Sequence, residues 1–161
     1  MTPDTTTRTI VVGFDASPAA HAAVEHAIDR AGADGRLVLV HAYQEPADFI
    51  GAPYYNDMLT EVSQRAAGVL DTLERDCERL FTVEFERDVT GGAAAAAIIR
   101  AAEAHHADEI VIGSRGVGRV RALVGSVAHD VLHRAHCPVT VIPERMLELR
   151  AATPPAALSV V

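Results

Sequence analysis

Residues 110–126 read Ile-Val-Ile-Gly-Ser-Arg-Gly-Val-Gly-Arg-Val-Arg-Ala-Leu-Val-Gly-Ser. The stretch begins as the end of a short apolar run, turns glycine-rich and basic, and closes on Gly125-Ser126 ahead of a helical pattern. Strand, glycine loop and helix start in this order form an arrangement that holds a phosphate. Glycines let the backbone approach an anion, and the free N–H groups of a helix N-terminus point at it. Arg115, Arg119 and Arg121 add local positive charge. A mobile, solvated surface loop is the competing reading of the same residues.

The flanks decide what kind of sheet carries this loop. Thr9 to Phe14 is a continuous apolar, β-branched run, as expected of a strand buried on both faces. Ser17 and Pro18 then suit the N-cap and first position of a helix running to about Ala31, which Gly32 to Gly35 ends. Arg36 to Ala42 reads as a second strand. Tyr43 to Tyr55 carries Pro46, Gly51 and Pro53 and reads as a loop; Asn56 or Asp57 would cap a second helix reaching Leu80. Thr82 to Arg87 alternates strictly, which predicts a half-exposed strand at the sheet edge. An alanine-rich helix over Ala93 to Ala104, a fourth strand over Asp108 to Gly113, a helix from Ser126 to about Ala135 and a fifth strand over Cys137 to Pro143 complete the pattern.

Five strands alternating with helices predict an α/β fold, a single doubly wound parallel sheet with helices on both faces. Residues 9–143 make up the domain. Residues 1–8 read as a flexible N-terminus and residues 144–161 as a C-terminal tail. Ligands of such sheets bind at the switch point, outside the carboxyl ends of the strands. The order 3-2-1-4-5 would bring Asp15 and Gly113 to one crevice; the order 2-1-3-4-5 satisfies the periodicity equally well.

Composition narrows the function. The 161 residues carry a formal net charge of −8, which argues against nonspecific binding to nucleic acid or anionic membranes. All 14 basic residues are arginine, so no P-loop lysine exists and a Walker-type NTPase is excluded. Met1 to Arg8 has no apolar core of a secretory signal, and a cytoplasmic protein is expected. Cys77 and Cys137 are expected to be a reduced, buried pair. His129-Asp130-Val131-Leu132-His133 superficially matches a zinc-protease helix, but its acid is aspartate. Val127, Val131, Leu132 and Ala135 are expected to form the buried face of that helix, leaving both histidines in solvent. His105 and His106 fit capping and dipole roles at a helix end. No catalytic constellation emerges.

Gly113-Ser114-Arg115-Gly116, a spacer, and Gly125-Ser126-Val127 resemble the nucleotide signature of the universal stress protein family. Val11 to Ser17 resembles that family's first strand and acidic turn, and Cys137 to Ile142 its closing strand. The resemblance spans roughly Thr9 to Pro143. It implies the 3-2-1-4-5 order, ATP or another adenine nucleotide in the switch-point crevice, and homodimers pairing through the fifth strand. It assigns Asp15 and Ala16 to the turn beside the ribose and phosphates, with magnesium reaching Asp15 through the nucleotide. It places Val40 and His41 at the adenine, and Gly113, Ser114, Arg115, Gly116, Gly125, Ser126 and Val127 on the phosphate and ribose loop. Val117 to Val124 is one residue shorter than the family's spacer. Asp15 has an alternative role, an Asx turn supporting Ser17. The expected function is a cytoplasmic stress or regulatory protein with at most weak ATPase activity, read out by a regulatory protein partner. Two alternatives stand beside it. One is a nucleotide-free dimeric interaction module whose shortened loop closes the crevice; the other is an adenylyl-transfer enzyme.

Overall fold

The computed structural model describes residues 7–47, 54–114 and 125–145. Its strands are β1 (Thr9–Gly13), β2 (Arg36–Tyr43), β3 (Glu84–Gly91), β4 (Glu109–Gly113) and β5 (Val139–Ile142). Its α-helices are α1 (Pro18–Ala31), α2 (Tyr54–Asp76), α3 (Ala94–Ala104) and α4 (Ser126–Arg134). All four strand pairings are parallel and the order is β3-β2-β1-β4-β5. The 3-2-1-4-5 alternative is therefore the one adopted, and β1 and β4 lie side by side at the reversal.

Strand alternation divides the core cleanly. Ile10, Val12, Leu37, Leu39 and Val111 pack under α1 and α2, with Val24, Ile28, Leu70 and Leu73. Val11, Val38, Val40, Ile110 and Ile112 pack on the other face, with Ile98, Ala101, Ala128 and Val131 of α3 and α4. The central strands are apolar on both faces, which is why their sequences run without polar interruption. At the amino edge of the sheet the buried carboxylate of Glu109 accepts from Thr140 Oγ1 at 2.6 Å and from Arg30 Nε at 3.1 Å, tying β4, β5 and α1 together.

Local signals placed several boundaries well. Ser17 Oγ accepts from Ala20 N at 3.1 Å with Pro18 opening α1. Gly32 (φ 70°) ends that helix by donating to Ile28 O. Several expectations need correction. Asn56 and Asp57 lie inside a helix already formed at Tyr54 and do not cap it. The second helix stops at Asp76, and a 3₁₀ turn over Glu78–Thr82 follows, so Leu80 is buried from a separate turn. β3 accordingly starts at Glu84 and runs on to Gly91, past the alternating segment; it does occupy the sheet edge. In α4 only Ala128 and Val131 are buried, whereas Val127 and Leu132 are 39% and 48% exposed. A short helix packed on the sheet margin covers a narrower stripe than the full apolar face predicts. Among the described residues no helix is long and apolar enough to cross a membrane.

Candidate functional site

The expected site lies where β1 and β4 end. On the β1 side, the backbone of Phe14 is fixed at both ends. Its N–H donates to Val40 O at 2.9 Å, and its carbonyl accepts from His41 Nδ1 at 2.8 Å. Asp15 Oδ1 then accepts from Ser17 N at 3.0 Å, so the Asx turn is formed. Between them Ala16 sits at φ 61°, a left-handed conformation unusual for a residue with a β-carbon, and it is exposed. Strain of this kind concentrates at sites where backbone must face a ligand. Asp15 is half-buried and one of its carboxylate oxygens is engaged by the turn, which sets the direction of the carboxylate.

On the β4 side, Gly113 lies against the start of α1. A β-carbon there would sit 2.9 Å from the Ala19 carbonyl carbon and 3.0 Å from Ala20 N, so only glycine allows β4 and α1 to approach this closely. Ser114 is 8% exposed, and its backbone joins three elements. Its N–H donates to Ile142 O at 2.8 Å and its carbonyl accepts from Gly125 N at 2.7 Å. The two flanks of the glycine-rich segment therefore meet directly. Gly125 is the N-cap of α4 and supplies no side chain to cap it. The first amides of α4, at Ser126 and Val127, thus end a helix dipole with no side-chain acceptor from the cap, a donor set suited to an anion. Ser126 is exposed beside them.

Of the residues expected at the site, Asp15, Ala16, His41, Gly113, Ser114, Gly125, Ser126 and Val127 come to the carboxyl edge of β1, β2 and β4. Val40 packs into the core under α3 at 2% exposure, and its carbonyl accepts from the Phe14 N–H, so its side chain does not face the site. Arg115 and Gly116, like Gly118, Arg119 and Arg121, lie outside the described residues. His21 was not anticipated here. Its Nδ1 lies 3.0 Å from Ser17 O, and its ring meets Phe14 edge-on at 5.0 Å. The only sequence signal was its place four residues after the N-cap.

The remaining candidates stay apart from the crevice. His129 and His133 are exposed neighbours on α4 with ring centroids 4.4 Å apart, and no group of three or more metal-ligating side chains occurs among the described residues. His105 pairs with Glu86 at 3.0 Å and His136 with Glu103 at 3.2 Å. Both cysteines are free thiols. Burial, reinforced by a hydrogen bond to Glu25, pushes the Cys77 thiol up to about 11. Burial, with Asp108 and Glu109 nearby, also raises Cys137. Neither has the electropositive setting of a nucleophile.

Comparison with known proteins agrees with this architecture. A universal stress protein of Thermus aquaticus is 35% identical over 138 residues, covering 84% of this chain and 98% of that protein. The structure of a universal stress protein from Lactobacillus plantarum superposes with a TM-score of 0.70 at 26% identity, covering 84% of this chain and 97% of the other. A universal stress protein solved in complex with cAMP superposes with a TM-score of 0.57 at 25% identity, covering 86% and 98%. Residues 6–143 match the Universal stress protein family, and with the β3-β2-β1-β4-β5 sheet beneath that match, the chain belongs to it.

Proposed function

We propose that this protein binds an adenine nucleotide, ATP foremost, in the crevice between the Asp15 turn and the start of α4, and serves a regulatory stress-response role. The observation that carries the reading is the pairing of two features across β1 and β4. One is an anion-ready helix start at Gly125-Ser126; the other is a turn whose backbone is held open at Ala16. The cAMP complex of a relative supports the ligand class. In this reading the amides of Ser126 and Val127 and the backbone of the 113–116 segment, Arg115 included, receive the phosphates. Asp15 faces the ribose or a nucleotide-borne magnesium ion, and the ends of β2 at Val40 and His41 border the base.

The short spacer does not argue against this site. Ser114 and Gly125 meet through a 2.7 Å hydrogen bond, so removing one residue between them changes the loop's reach while the helix start stays against β4. The sequence has no lysine, and the described residues at the site present no evident general base, so hydrolysis is at most slow. Nucleotide binding selects among loop conformations and a partner protein reads the outcome. The protein works in the cytoplasm as a homodimer through the exposed edge of β5; the exposed Val127 and Leu132 on neighbouring α4 suit such burial.

Calorimetric titration of nucleotide-free protein with ATP, ADP and AMP tests the reading; saturable heat supports it. Absence of heat at millimolar nucleotide favours the second reading, a dimeric interaction module with a closed crevice. Release of pyrophosphate from ATP with adenylate formation would instead point to adenylyl transfer.

A further inference from the structure

Two imidazoles meet the backbone of the β1–α1 turn, from two different elements. His41 on β2 places Nδ1 2.8 Å from the Phe14 carbonyl, and His21 on α1 places Nδ1 3.0 Å from the Ser17 carbonyl. A carbonyl oxygen only accepts, so both rings must carry their proton on Nδ1 to make these bonds. Phe14 is thereby held at four points. Its N–H donates to Val40 O, its carbonyl accepts from His41 Nδ1, the residue is buried at 3% exposure, and its ring forms a T-shaped contact with that of His21. The two clamped carbonyls, at Phe14 and Ser17, bracket Asp15 and the left-handed Ala16.

An alanine at φ 61° persists only where its surroundings over-determine it. Ser17 contributes through its amide bond to Asp15 and its cap bond from Ala20. Those contacts fix the turn from its helix side alone. From the sheet side β2 holds it twice, through Val40 O, which accepts the Phe14 N–H, and through His41 Nδ1 at the Phe14 carbonyl; β1 itself ends at Gly13, so among the described residues the His41 contact is the side-chain bond that reaches that carbonyl.

We infer that His41, seconded by His21, is a positioning residue: a tautomer-locked imidazole that sets the Asp15-Ala16 turn, and through it the carboxylate and exposed amide offered to a nucleotide. The functional consequence rests on the nucleotide reading above; the effect on the turn does not.

The test compares His41→Leu, which removes the donor, with His41→Asn, whose side-chain amide nitrogen stands at the same distance along the chain as Nδ1. Three readouts are taken: imidazole ¹⁵N shifts of the wild type, hydrogen exchange at the Ser17 amide, and AMP and ATP affinity by calorimetry. The expected results are an Nδ1–H tautomer for His41 and Ser17 exchange at least about tenfold faster in His41→Leu. Nucleotide affinity is expected to be at least about tenfold weaker in that variant, and both properties restored to within about threefold in His41→Asn. An Nε2–H tautomer in the wild type overturns the inference, as does unchanged Ser17 exchange in a folded His41→Leu protein. If the wild type binds no nucleotide, the function proposed above fails, while tautomer and exchange still decide the clamp. Should His41→Leu not fold, the wild-type tautomer and the Asn variant's exchange decide it.

Discussion

Gly113 has no room for a β-carbon, because the contact it would make is with the backbone of α1 at 2.9 Å and not with a side chain that can turn away. Gly113→Ala is therefore expected to cost about 1–3 kcal/mol of stability, read as a lower urea midpoint. Ala16 poses the opposite problem, a β-carbon already tolerated at φ 61°. A β-branched side chain is not tolerated there, and Ala16→Val should lose about 1–3 kcal/mol in the same assay. Cys77 makes a prediction in pH. Its thiol ionises at about 11 in the folded protein against 9.0 in the unfolded chain, so the native state holds that proton more tightly. Its contribution is intact below pH 9.0 and is lost as the pH rises toward about 11. Urea unfolding across that window should show a steeper loss of stability for the wild type than for Cys77→Ala; parallel curves would contradict the burial argument.

At the scale of elements, α4 begins at Gly125 with no side-chain cap. A carboxylate placed at its first position should strengthen the helix while repelling an anionic ligand. Ser126→Asp is thus expected to gain about 0.3–1 kcal/mol in stability, with ATP affinity falling at least about tenfold. Thermal unfolding and calorimetry on the same variant separate the two effects, and a loss of both would mean the helix start is disturbed. The elements themselves were legible because their signals are local: Ser17-Pro18 for a helix start, Gly32 for a helix end, unbroken apolar runs for β1, β2 and β4. What the sequence hid was set by tertiary context. The break after Asp76 follows no glycine or proline; it lets Leu80 reach the core from a separate 3₁₀ turn. Val127 and Leu132 follow helical spacing, but the sheet margin under α4 is too narrow to cover them.

For the whole molecule, periodicity left two strand orders open, because alternating elements fix layers and not neighbours. The sheet resolves the choice in favour of a β1–β4 junction, and that junction brings the Asp15 turn and Gly113 to the same edge of the sheet. The positions of Asp15 after β1 and Ser126 at the start of α4 were legible from motif alone; the imidazole contacts at Phe14 and Ser17 were not, since a tautomer and a carbonyl leave no mark in a sequence. β5, the edge strand among the described residues, with exposed Val127 and Leu132 on α4, carries the expectation of a homodimer. Leu132→Glu should lower the dimer fraction in sedimentation velocity while leaving the melting of the dilute protein near that of the wild type. The central claim is most directly tested by titrating ATP into protein stripped of nucleotide by unfolding and refolding. A saturable, one-to-one heat that Ser126→Asp weakens at least about tenfold is the predicted result; no heat at millimolar ATP, ADP or AMP would contradict it.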